Sequence, residues 1–134
     1  LALAQLRRIE ELINYKKWLF EAYKDNLKSI KGLTLNQNYE EVDPVYWITT
    51  AIVEEDYGLS KQDLVKKFSE YEIDIRPLFY PISSMPPYKK YFRIENKISA
   101  QLSAYGICLP SGNGLTREDV DYICEVFKKI LRAK

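Results

Sequence analysis

Histidine is absent from the 134 residues. That removes Ser–His and Cys–His nucleophilic chemistry, the commonest general base and most zinc sites. An enzyme made from this chain must work with carboxylates, lysine, tyrosine or a cofactor. Cysteine is scarce: Cys108 and Cys124 are the two present. They are too few for a disulfide framework and read as two buried thiols in a reducing compartment. No apolar run is long enough to span a bilayer and no secretory leader pattern precedes the fold, so the expectation is a cytoplasmic protein with no membrane partner. Charge of one sign is lacking too. Twenty basic residues face nineteen acidic ones, a net charge of +1, which argues against a nucleic-acid partner. A small phosphorylated ligand stays open, because it needs only one or two well-placed donors.

The remaining composition is that of one globular domain. Hydrophobic residues make up 46% and charged residues 29%, with eleven Tyr, five Phe and two Trp, enough to bury a core without staples. Ala2, Leu6, Ile9, Ile13, Phe20, Tyr23 and Leu27 recur at helical spacing opposite Arg7, Arg8, Glu11, Lys16, Lys17 and Lys24. This predicts one long helix, stopped by Gly32, that packs on something larger than the rest of the chain. The chain opens on Leu1 without a cap residue, which suggests a boundary made by cloning or proteolysis. Residues 34–44 read as a loop. Residues 45–53, VYWITTAIV, read as a strand covered on both faces.

Ser60 with Asp63 opens a helix whose buried face is Leu64, Val65, Phe68 and Tyr71. Residues 73–80 read as a strand interrupted by Pro77, lying at an edge or a strand end. Residues 81–91 form a proline-fixed loop, and 97–105 a short helix. Residues 106–110 read as a short strand or an extended exit. Thr116 with Asp119 opens a last helix, with a stripe of Val120, Ile123, Phe127 and Ile130. The expected architecture is α+β: a small, mostly antiparallel sheet packed with helices, with the long helix first.

Several segments invite a functional reading and favour a structural one. The turn SGNGLT (111–116) precedes a helix but lacks the lysine and hydroxyl of a phosphate loop, so it reads as a tight entry turn. The stretch YKKYFR (88–93) alternates aromatics and bases, yet no wider basic field surrounds it, and a solvated loop face is favoured. The pairs Lys16–Lys17, Lys66–Lys67 and Lys128–Lys129 read the same way. The acidic groups Glu40, Glu41, Asp43 and Glu54, Glu55, Asp56 sit in turns where water solvates them. The segment IDIRPLFYPISSMPPY (73–88) is the informative one. Its prolines fix the backbone, and it displays Arg76, Tyr80, Ser83 and Ser84. A guanidinium offers planar donors to phosphate or carboxylate, and phenol and serine hydroxyls suit sugar hydroxyls or phosphate oxygens.

Read in order, these segments resemble the C-terminal part of the DegT/DnrJ/EryC1/StrS aminotransferases. LALAQLRRIEELINYKKWLFEAYKDNL looks like that family's A-x-x-L-A-Q-L-x-R-I-(D/E)-E helix, and VYWITTAIV like its central small-domain strand. IDIRPLFYPISSMPPY is similar to its R-P-x-F-Y-P-x-(H/S)-x-x-P-x-Y signature, and GICLPSGNGLTREDVDYICEVFKKIL to its closing segment. The resemblance covers nearly the whole chain and is most specific in the opening helix and the R-P-x-F-Y-P segment.

It implies that residues 1–134 are the C-terminal small domain of a fold-type-I, pyridoxal-phosphate-dependent sugar aminotransferase. Such an enzyme moves an amino group from glutamate or glutamine to a keto group of a nucleotide-linked sugar. The R-P-x-F-Y-P-x-S-S form is similar to members acting on 4-keto-6-deoxy sugars, as perosamine synthases do. The family's Schiff-base lysine, the aspartate that pairs with the pyridine nitrogen and the phosphate-binding residues lie upstream, in a large domain this chain lacks. The expectation is therefore no catalytic, cofactor-binding or metal-binding residue here, no activity in isolation, and a homodimeric parent whose active site forms at the interface.

By the match to the signature, Arg76, Tyr80 and Ser83 are the substrate-binding candidates, forming one wall of the sugar-nucleotide pocket. Ser83 stands where many members have His, and Glu72 where Gly is usual. Two other classes compete: a stand-alone, non-catalytic binding or assembly module, and the small domain of a different fold-type-I enzyme. The R-P-x-F-Y-P loop speaks against the second.

Overall fold

The computed structural model describes residues 2–91, 94 and 96–132. In order the elements are α1 (Ala2–Leu6), α2 (Ile9–Leu27), β1 (Leu33–Leu35), β2 (Thr50–Val53), α3 (Lys61–Ser69), β3 (Arg76–Pro77), α4 (Lys97–Tyr105), β4 (Gly106–Cys108) and α5 (Arg117–Arg132). Single helical turns at Glu55–Tyr57, Ile82–Ser84 and Lys89–Tyr91 punctuate the loops. The strands form one antiparallel sheet in the order β1-β2-β4-β3, so the fold is α+β as the residue pattern implies.

Register assigns the two faces of the sheet. Ala51 pairs with Leu35 and with Ile107, which pairs with Pro77; Val53 pairs with Leu33. Directly opposed residues share a face, and this one is the core face: Ala51, Val53 and Ile107 are all but inaccessible. Leu19, Tyr23 and Leu27 of α2, Leu64 and Phe68 of α3, and Val120, Cys124 and Phe127 of α5 pack against it. Phe68 and Phe127 meet edge to face at 5.1 Å and 74°, the arrangement the ring quadrupoles favour. The caps foreseen for α3 and α5 are present. Ser60 and Asp63 bond reciprocally, as do Thr116 and Asp119, and these bonds hold both carboxyls below their ordinary range.

Several expectations need correction. The first helix is two: the chain turns at Arg7–Arg8, where Arg8 has φ −114° and ψ 16°. Nothing in α1 is buried, and Leu3, Leu6 and Ile9 face outward, so the chain supplies no packing to hold that stretch straight. The loop at 34–44 gives up its first residues to β1. The strand at 45–53 shrinks to Thr50–Val53, because Tyr46 adopts φ 45° and lies flat on Phe20 with ring centroids 3.7 Å apart. That detour leaves Trp47 outside the sheet and 68% exposed. The sheet is accordingly not covered on both sides. Val45 and Trp47 are exposed, and Ile48, Thr50 and Ile52 only half-buried.

Where the strand falls short, Asn36 takes over. Its side-chain oxygen accepts from the Thr50 N–H at 2.7 Å and its nitrogen donates to the Ile48 carbonyl at 3.2 Å, so one amide stands in for a missing rung of the ladder. The predicted strand at 73–80 contracts to β3, an edge strand, as Pro77 requires.

Two outcomes follow from the packing. α4 runs into β4 without a connecting loop, and a Cβ on Gly106 would lie 2.4 Å from the Leu102 carbonyl oxygen and 2.8 Å from Leu78 Cβ. Gly106→Ala should therefore destabilise by at least about 2 kcal/mol, the overpacking range or beyond, read as a lowered urea midpoint with unchanged slope. The second concerns the thiols. Burial pushes Cys124 up to about 12 and raises Cys108 as well. In the native chain near pH 8 both should resist an aromatic disulfide reagent and react only on unfolding. Because the folded state holds the Cys124 proton more tightly, its stabilisation is complete below the unfolded thiol value of about 8.5. It is lost as pH rises from there towards about 12, and urea midpoints should fall over that window.

Candidate functional site

The signature segment crosses the sheet edge and then leaves it. Ile73 and Ile75 are buried in the core, while Asp74 and Arg76 alternate outward, as the two-residue period of an extended chain requires. Arg76 is paired with Cys108, which is paired with Thr50, so all three belong to the face of the sheet opposite the core. Its guanidinium reaches the Asp74 carboxylate at 2.7 Å. Both side chains are more than 70% exposed, so this pair contributes little stability and leaves the other guanidinium donors open to a ligand.

Beyond Pro77 the Leu78 N–H still bonds the Gly106 carbonyl, at 2.9 Å. The chain then passes Phe79 and Tyr80 into the turn Ile82–Ser84. Phe79 lies near-parallel to Trp47 at 6.4 Å and 19°. Between them and the sheet is a groove of about 360 Å³ that also touches Asn36, Thr50 and Cys108. A larger groove of about 430 Å³ lies at the other edge of the sheet, against α2 and β1. It touches no residue of the signature segment, and the smaller groove is the better candidate for that reason.

Tyr80 turns the other way, its ring centroid 4.2 Å from Lys61 Nζ. Ser83 is half-buried within the turn, and Ser84 is used locally, its hydroxyl donating to the Pro81 carbonyl at 2.7 Å. The structure thus places Arg76, Tyr80 and Ser83 along one ordered corner. Among the described residues no hydrogen bond or ring contact links the three. Arg76 sits at the sheet edge, Tyr80 lies against Lys61 at the start of α3, and Ser83 stands in the turn beyond it. The residues that sequence reasoning missed are Asp74, Trp47 and Lys61. The period-two spacing of Asp74 and Arg76 signalled the first. Trp47 belongs to the segment read as a strand, and nothing in the order of residues sets Lys61 apart from the other lysines of its helix.

The alternative sites resolve into structure. In the glycine turn Gly114 donates its N–H to the Tyr15 hydroxyl at 3.1 Å, and that hydroxyl donates to the Leu115 carbonyl at 2.9 Å. Ser111 accepts from the Thr49 N–H at 3.0 Å and donates to the Leu109 carbonyl, and Lys16 donates to the Ser111 carbonyl. The turn is an entry to α5 tied to α2 and β2, its Gly114 donor already engaged. Of YKKYFR, Tyr88 and Tyr91 are exposed, while Phe92 and Arg93 lie outside the described residues. Asp43 pairs with Lys17 at 2.6 Å. Among the described residues no cluster of carboxylates and thiols has the makings of a metal site, and no helix is long and apolar enough to cross a membrane.

Comparison with known proteins agrees with this architecture. The GDP-perosamine synthase of Escherichia coli O157:H7 is 32% identical over 125 residues, covering 93% of this chain and 33% of that protein. The GDP-perosamine synthase of Vibrio cholerae is 28% identical over 133 residues, covering 96% and 35%. The chain thus spans about a third of the length of these curated relatives. Among solved structures, DesI with its TDP-sugar product superposes with a TM-score of 0.88 at 14% identity, over 98% of this chain and 34% of that one. Helicobacter pylori PseC, an aminotransferase of pseudoaminic acid biosynthesis, gives 0.87 at 16%, over 98% and 36%. At such identities these two establish the fold. The family model for DegT/DnrJ/EryC1/StrS aminotransferases matches residues 1–128, and the chain belongs to that family.

Proposed function

We propose that the chain is the C-terminal small domain of a pyridoxal-phosphate-dependent aminotransferase that works in the cytoplasm as a homodimer. In this reading the enzyme moves an amino group from glutamate or glutamine to the keto group of a nucleotide-linked sugar, a 4-keto-6-deoxy sugar as in perosamine synthesis. The observation that carries the reading is a family match running through the signature segment, in a chain that spans about a third of its curated relatives. The geometry of that segment adds support. It is an ordered corner with an exposed guanidinium at the sheet edge, a half-exposed phenol beyond it and an aromatic-sided groove alongside.

In this reading the pyridoxal phosphate is held by residues outside the present chain. The buried lysine among the described residues, Lys61, has its ammonium engaged by the Ser103 carbonyl and the Tyr80 ring, so no step through the cofactor is assigned to this chain. When bound, the cofactor supplies the electron sink for transamination, and its holding lysine belongs to the remainder of the polypeptide. The part proposed for the present residues is recognition. Arg76 offers a planar fork to anionic oxygens of the nucleotide sugar, and Tyr80 and Ser83 offer hydroxyls to the sugar.

The reading frame upstream of Leu1 gives the first test. A large domain with the family's lysine and aspartate is expected, and a frame that opens at Leu1 would favour the stand-alone binding module. In the complete enzyme, Arg76→Ala should lower kcat/KM for the nucleotide sugar by about 10- to 100-fold, the loss of a charge-assisted hydrogen bond. Steady-state kinetics check it, and an unchanged value would remove Arg76 from the pocket.

A further inference from the structure

Lys61 is the buried lysine among the described residues, with 6% of its surface exposed. Its position is unfavourable on two counts. It is the first residue of α3, where the positive end of the helix dipole disfavours a cation, and burial strips water from its ammonium. Asp63 in the capping box offsets the first locally. For the second, no carboxylate pairs with Lys61 among the described residues. The ammonium instead donates to the Ser103 carbonyl at 2.7 Å and lies 4.2 Å from the Tyr80 ring centroid. Ser103 is in the last turn of α4, where carbonyls lack partners within the helix and carry its negative end. The Tyr80 ring presents its negative face. One side chain therefore joins the start of α3, the end of α4 and the signature loop.

The loop has few other anchors at that point. Leu78 is fixed to Gly106. Pro81 restricts the backbone of Tyr80 without fixing its ring. The ring is 56% exposed, with the ammonium against one face and solvent over much of the rest.

We propose that Lys61 is a positioning residue: its ammonium, seated between the Ser103 carbonyl and the Tyr80 ring, sets the orientation in which the signature loop offers Tyr80 to a ligand. The identity of that ligand rests on the function proposed above; the clamp itself does not. A methionine here keeps the length of the stem without the charge. An arginine keeps the charge and stacks well on a ring.

Two measurements test the clamp. In the complete protein, amide hydrogen exchange should rise about 5- to 30-fold at Ser84 and Met85 in Lys61→Met, the equivalent of a desolvated cation–ring contact. Ala51 and Val53 should stay at their native rates, and Lys61→Arg should restore the loop. Tyr80→Leu should loosen the same amides, and the double variant no further. In the complete enzyme, Lys61→Met should raise KM for the nucleotide sugar about tenfold. kcat and the KM for the amino donor should remain unchanged.

Loop exchange that stays native in Lys61→Met and Tyr80→Leu would overturn the clamp, and so would acceleration spread equally through β2. A loosened loop with unchanged sugar KM would overturn its role in presenting Tyr80. A wild-type enzyme that transaminates no nucleotide sugar would instead sink the function proposed above, leaving the exchange data to decide for Lys61. Should Lys61→Met fail to fold, Tyr80→Leu and Lys61→Arg carry the same exchange test.

Discussion

The short central strand β4 is the constraint on which the remaining architecture depends. Gly106, Ile107 and Cys108 are buried and hydrogen-bonded to β2 on one side and β3 on the other. Ile107 faces the helices, while Cys108 shares the opposite face with Thr50 and Arg76. α4 enters this strand with no spacer, and the close approach of the Leu102 carbonyl and Leu78 to Gly106 leaves no volume for a side chain. Three residues thereby fix the register of the sheet, the angle at which α4 leaves it and the starting point of the signature loop.

Around that strand the two faces of the sheet differ in kind. The inner face is closed by α2, α3 and α5 into one contiguous apolar cluster. Its polar groups are satisfied, as where the Tyr23 hydroxyl donates to the Pro110 carbonyl at 2.9 Å. The outer face carries groups that suit recognition, an arginine held loosely by a neighbouring carboxylate and an aromatic pair beside a groove, and at the corner beyond it a tyrosine rests on a buried ammonium. Stability is concentrated on one face and chemical variety on the other, a division common where a rigid scaffold presents a loop.

Much of this was legible in the residues themselves. Capping boxes and amphipathic stripes are local, so α3, α4 and α5 could be read from spacing alone, and Pro77 marked an edge because it lacks the donor a central strand needs. What could not be read was non-local. Tyr46 leaves the extended path to stack on Phe20, twenty-six positions earlier. Asn36 replaces a strand neighbour with its side chain. Lys61 finds a ring and a carbonyl contributed by distant segments. At the candidate site, the motif located the corner and its residue types. Which groups point together and which point apart depends on register and on Lys61, and neither has a signature in the order of residues.

The placement of the two tryptophans has an optical consequence. Trp18 is 38% exposed on α2 and Trp47 is 68% exposed beside the groove, so neither indole is part of the buried cluster. Trp47 already faces water in the folded chain, so its emission has little further to shift when the core opens. Trp47 would respond strongly to any molecule or polypeptide surface that dries the outer face of the sheet. Fluorescence from Trp47 is therefore expected to report on what covers that face more than on whether the core is intact.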